Sequence, residues 1–108
     1  MGFSNVFVKV EPTRDEINAL SGPTVLEFGT DWCGYCEDAQ PLIAQAFAGH
    51  PKITHIKIED GRGQALGRSF GIKLWPTLLF LKDGREVARL VRPQNVHVIL
   101  KAMRRIER

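Results

Sequence analysis

The sequence predicts an α/β fold in which a mixed central β-sheet is flanked by helices on both faces. Three observations lead there. Residues 24–59 read as apolar strand, amphipathic helix and strand, a βαβ unit whose strands lie parallel with a right-handed crossover. Residues 77–90 hold two further strand patterns around Asp83-Gly84, a dipeptide that between apolar runs signals an antiparallel hairpin. A parallel pair and a hairpin within 108 residues require a mixed sheet, and the length fits a single domain over residues 1–108.

The elements follow in order. Residues 5–10 alternate as a short first strand would. Thr13-Arg14-Asp15-Glu16 reads as a capping box opening a helix through Leu20, which Ser21-Gly22-Pro23 ends. Residues 24–28 are almost wholly apolar, as in a strand covered on both faces. From Cys33 onward, Cys36, Ala39, Ile43, Ala46 and Phe47 trace one apolar helical stripe that stops at Gly49. Pro41 has no N–H for the Glu37 carbonyl, so a kink is expected with the helix continuing past it. In residues 53–59, Ile56 and Ile58 alternate against His55, Lys57 and Glu59. A short helix over residues 64–70 precedes strands at 77–81 and 85–90. The last helix, from Gln94 to about Arg108, buries Val96, Ile99, Leu100, Met103 and Ile106.

Composition narrows the function classes. No stretch approaches the roughly 20 apolar residues of a membrane-spanning helix, so a soluble chain with no membrane partner is expected. The net charge is only +3. His97, Lys101, Arg104, Arg105 and Arg108 share one face of the last helix, where cations complement the dipole. That face reads as solvated, not as a dock for nucleic acid or membrane. Residues 1–10 lack the basic start and apolar run of a signal peptide, which makes the cytoplasm the default. A removed leader or anchor would move the protein to the periplasm or another extracytoplasmic site.

Cys33-Gly34-Tyr35-Cys36 holds both cysteines of the chain, where a strand gives way to a helix. Residues i and i+3 of a helix lie one turn apart, close enough for a disulfide to close and reopen without rebuilding the backbone. A thiol in the first turn also meets unpaired amide N–H groups and the positive end of the helix dipole, which favour a thiolate. Cys33 holds that place, and Cys36 begins the apolar stripe. In a reducing compartment such a pair is more often catalytic or metal-binding than a structural crosslink. Glu27 stands out beside it, because a carboxylate among Val25, Leu26 and Phe28 must be paired or protonated.

In this order of elements, Trp32-Cys33-Gly34-Tyr35-Cys36, Pro41, Phe70-Gly71-Ile72 and Trp75-Pro76-Thr77 together resemble the thioredoxin family over nearly all of the chain. The resemblance implies a thioredoxin-like fold and a thiol–disulfide oxidoreductase, most simply a monomeric protein-disulfide reductase that needs no cofactor or metal. It implies that Cys33 is the exposed attacking thiolate and Cys36 the buried resolver. Trp75-Pro76 would be a cis bond opposite the pair, and the backbone there would hold the substrate as an extended strand. Trp32, Gly34, Tyr35, Trp75 and Pro76 are the implied substrate contacts. Glu27 matches a family acid that takes the resolving thiol's proton, and Lys57 matches a lysine beside that acid. The implied partners are protein disulfides and a thiol or flavoprotein reductant.

Four positions depart from the family pattern. Gly34-Tyr35 replaces Gly-Pro, Gly29 stands where a Trp is usual, and Arg92-Pro93 where a glycine is common. Trp75 exceeds the usual aliphatic residue, and would either line the groove or pack beside Trp32.

Three rival readings compete. A C-x-x-C can hold zinc or an iron–sulfur cluster, but there is no second one, and His50, His55 and His97 form no ligand motif. Gly61, Gly63 and Gly67 suggest a nucleotide loop, but Leu66 occupies the place of the third glycine in G-x-G-x-x-G. A binding or accessory module would leave the thiols incidental, against which the complete pair, Glu27 and Pro76 argue.

Overall fold

The computed structural model describes residues 2–107. Its elements are α1 (Arg14–Asn18), β1 (Pro23–Gly29), α2 (Gly34–Ala48), β2 (Thr54–Glu59), α3 (Ala65–Ser69), β3 (Thr77–Lys82), β4 (Arg85–Val91) and α4 (Val96–Ile106). The strands form one sheet in the order β2-β1-β3-β4. β1 and β2 are parallel across the α2 crossover, while β1–β3 and β3–β4 are antiparallel. This is the mixed sheet that the βαβ unit and the hairpin predict.

Strand alternation divides the core in two. Val25, Leu78 and Phe80 point to the face covered by α2 and α4, against Ile43, Phe47, Ile99 and Met103. Leu26, Phe28, Leu79 and Leu81 point the other way, against Ile17, Leu66 and Phe70. Both faces of β1 are therefore covered, which is why Thr24 to Gly29 are all buried. At the hairpin, Asp83 and Gly84 take φ of 50° and 79°, the left-handed pair that a two-residue turn between twisted strands requires. The Asp83 carboxylate also accepts the Gly22 N–H at 2.8 Å, tying the turn to the start of β1.

The Thr13–Glu16 capping box forms in full, and α1 ends at Asn18, two residues short of the expected Leu20. α2 runs through Pro41 without a break. α3 has no side-chain cap of its own; Glu11 supplies one, its Oε2 accepting the Ala65 and Leu66 N–H groups at 3.2 and 3.4 Å.

Three sequence expectations need correction. Residues 5–10 form no strand: the N-terminal segment follows the β2 edge through isolated bridges, Gly2 with Thr54 and Phe7 with Lys57. Between them the Ser4 N–H turns from the backbone ladder to the His55 ring, at 2.8 Å from Nδ1, which interrupts pairing. In β2, the polar alternates His55 and Lys57 are buried along with Ile58, whereas Ile56 is only half-buried, because Phe47 and Gln40 of α2 cover the His55 and Lys57 side chains. In α4, Ala102 joins Ile99, Met103 and Ile106 in the core, whereas Val96 and Leu100 are only half-buried. His97, Lys101, Arg104 and Arg105 are exposed, and Arg108 lies outside the described residues.

Candidate active site

The site forms where β1 ends and α2 begins. Cys33 is the N-cap of α2 and has extended backbone. Its Sγ turns back to accept the Cys36 N–H at 3.1 Å, one of the amide donors a helix start leaves unpaired. That inward turn corrects the expectation of an exposed attacking thiol, since Cys33 is only 8% exposed and Cys36 4%. Both thiols are free.

The environment of Cys36 suits a resolving thiol that stays protonated until needed. Its pKa is raised to about 12, by burial above all and then by the hydrogen bond with Cys33, while the Thr30 backbone partly opposes this. The negative charges of Cys33 and Glu27 also favour the protonated form. Gly29 gives Cys36 its room, because a Cβ there would lie 2.7 Å from Sγ. The glycine in the place of a family Trp thus has a local packing cause.

Behind Cys36 lies a closed polar pocket around Glu27, whose side chain is fully buried. Gln40 donates through Nε2 to Glu27 Oε2 at 2.7 Å and to the Cys36 carbonyl at 3.0 Å. Glu27 Oε1 lies 2.9 Å from His55 Nε2. Because the Ser4 amide can only donate, His55 Nδ1 must accept, which leaves the ring proton on Nε2 facing Glu27. Phe47 stacks on the imidazole with centroids 4.6 Å apart, and Phe3 tilts against it at 5.3 Å. Lys57 reaches Glu27 only through Gln40, whose Oε1 accepts from Nζ at 3.2 Å, while Nζ also lies 4.9 Å from the Phe7 ring centroid.

Sequence reasoning missed His55 and Gln40. Each carried a signal: His55 sits two residues before Lys57 on one strand face, and Gln40 is one helical turn beyond Cys36. The strand of a βαβ unit is covered on both sides, so its polar alternates must find partners inside.

In front of Cys33 the surface is aromatic. Trp32 is 69% exposed and Tyr35 59%. Trp32 meets Trp75 edge to face, with centroids 5.4 Å apart, so Trp75 both packs beside Trp32 and lines the site. The Trp75 indole donates to Asp60 Oδ2 at 2.9 Å. Burial raises the Asp60 pKa, and that indole N–H pulls it back. Asp60 packs so tightly against α3 that a Cβ at Gly67 would fall 1.9 Å from Oδ1. Gly67 is thereby accounted for by packing. Gly34 is the first residue of α2, and Pro76 is buried behind a cis Trp75–Pro76 peptide.

Among the described residues, no three His, Cys, Asp or Glu side chains gather as a metal-ligand set. His50 pairs with Glu107, and His55 is committed to Glu27 and Ser4.

A thioredoxin family model matches residues 6–105. The chain belongs to the thioredoxin family. It resembles thioredoxin 2 of Pseudomonas aeruginosa, solved in its reduced form, with 54% identity, a TM-score of 0.83 and 93% of each chain covered. It is also 34% identical over 71 residues to the thioredoxin of Chlamydia muridarum, a match covering 66% of this chain and 70% of that one. With the thioredoxin of Haemophilus influenzae the identity is 39% over 72 residues, 64% of this chain and 65% of the other. Family membership and the Cys33–Cys36 pair make the chain a thiol–disulfide oxidoreductase.

Proposed function

We propose that the chain reduces protein disulfides as a monomer in a reducing, cytoplasmic setting, and is recharged by a thiol or flavoprotein reductant. Cys33 attacks one sulfur of the substrate disulfide as the thiolate, forming a mixed disulfide and releasing the other substrate sulfur. Cys36 gives its proton to Glu27 and attacks Cys33 Sγ, which releases the second substrate thiolate and leaves a Cys33–Cys36 disulfide. Two electrons pass to the substrate. Trp32, Gly34, Tyr35, Trp75 and Pro76 receive the peptide around the reacting sulfur. Lys57 and His55 act as positioning residues on Glu27, Lys57 by way of Gln40.

The asymmetry of the pair carries this reading: Cys33 caps the helix at the aromatic surface, and Cys36 is held protonated against the polar pocket. Trapping tests it. Cys36→Ser should accumulate a mixed disulfide with a protein disulfide substrate, detectable by mass spectrometry, whereas Cys33→Ser should accumulate none. Equal trapping by both variants would reject the assigned roles. The direction of net reaction is tested by the Cys33–Cys36 reduction potential. A reductase should lie near −270 mV and an oxidant near about −120 mV.

A further inference from the structure

We propose that Arg92 is a strap over the substrate-strand site that selects disulfide substrates carrying a carboxylate beside the reacting cysteine, a proposal that rests on the reductase reading. Arg92 follows β4 and faces the Trp75–Pro76 segment, which it grips twice. Its backbone N–H donates to the Pro76 carbonyl at 2.9 Å, and its Nε donates to the Trp75 carbonyl at 2.8 Å. Its guanidinium carbon lies 3.8 Å from the Tyr35 ring centroid, which draws the strap across from the cis-proline loop to the first turn of α2. Arg92 holds this position with φ of 51°, a left-handed conformation unfavourable for a residue with a side chain.

Trp75 precedes the first paired residue of β3, so its carbonyl lies beyond the sheet's own ladder. An extended peptide pairing with the backbone just before β3 needs that carbonyl to accept its N–H. Arg92 already fills it. A neutral peptide that takes the carbonyl leaves the guanidinium without its acceptor. A peptide with a carboxylate next to its cysteine supplies a charge-assisted, two-pronged replacement that matches the guanidinium fork.

Arg92 has no carboxylate within ion-pair distance among the described residues, so its charge is not already committed. On the other flank of Trp75, Arg62, Arg68 and Lys73 line an open groove, and the carboxylate among them, Asp60, is held by the Trp75 indole. An acidic segment crossing Trp75 therefore meets Arg92 on one side, where Asp38 shares the groove without pairing to it, and three cations on the other.

The test uses two disulfide peptides differing only in Glu or Gln beside the reacting cysteine, reduced by the wild type, Arg92→Gly and Arg92→Gln at low salt. Glycine suits the positive φ, so Arg92→Gly does not threaten folding. The wild type should favour the Glu peptide about tenfold in kcat/KM, the scale of a charge-assisted hydrogen bond. Both variants should bring the ratio to within about twofold, and Arg92→Gly should reduce the Gln peptide faster than the wild type does. A wild-type ratio near one, or an unchanged ratio in Arg92→Gly, would overturn the strap. Reduction of 5,5′-dithiobis(2-nitrobenzoate) by the wild type separates the two proposals: activity there without peptide preference sinks the strap alone, and no activity there sinks the reductase reading as well.

Discussion

The two sides of the α2 start are built on opposite principles. Behind Cys36, Glu27, Gln40, His55 and Lys57 form one hydrogen-bonded chain screened from water by Phe3, Phe7 and Phe47. In front of Cys33, Trp32 and Tyr35 stand in solvent and make ring contacts with Trp75 and Arg92. A buried polar group that loses its partner retains its desolvation cost, whereas an exposed aromatic ring loses little when trimmed. Folding stability should therefore depend on the rear pocket, and substrate recognition on the front.

The largest break expected is His55→Leu. It strips Glu27 Oε1 of its donor inside the core and should cost about 3 kcal/mol in urea denaturation. Adding Glu27→Leu should recover most of that loss, because both polar partners then leave together. A double variant as unstable as His55→Leu would show that lost packing on Phe47, not an orphaned carboxylate, sets the cost.

Next in size is Glu27→Gln, which keeps the shape but removes the proposed proton acceptor. Resolution by Cys36 should slow about a hundredfold in stopped-flow measurements, in the range of general base catalysis, while the first attack by Cys33 keeps its rate. Equal slowing of both steps would move Glu27 from proton transfer to site structure.

The pocket should also appear in the pH dependence of stability. Cys36 is raised from 9.0 to about 12 in the folded chain, so above pH 9 the unfolded chain sheds a proton that the folded chain keeps. With fewer protons bound unfolded than folded, stability falls as pH rises from about 9 to about 12. Cys36→Ala should flatten that fall; an identical slope would place the titration elsewhere.

The smallest effect on folding belongs to the front. Trp32→Ala should change stability by no more than about 0.5 kcal/mol. It should still lower kcat/KM for a protein disulfide roughly fivefold, since the edge-to-face contact with Trp75 disappears. A large loss of stability would make Trp32 part of the core.

How much of this was legible depended on the range over which each signal acts. β1, the hairpin turn and the α1 capping box are local, and their residues declare them. Cys33 and Cys36 could be named from their spacing, Glu27 from its apolar neighbours, and Trp75 and Pro76 from the thioredoxin resemblance. The partners of Glu27 could not, since His55 lies 28 residues away and acquires its tautomer from Ser4, 51 residues before it. The missing first strand has the same origin: one amide chose a ring nitrogen over the β2 backbone. Cys33 is buried for a reason spacing cannot show, the inward turn of its Sγ onto the Cys36 N–H.

The asymmetry of the two thiols is tested most directly by following the Cβ carbon shift of Cys36 with pH, by NMR on the reduced protein. We expect no ionisation step for Cys36 below about pH 11, because burial and the Cys33 contact hold its proton. A Cys36 step below pH 9 would contradict a resolver kept protonated by its pocket.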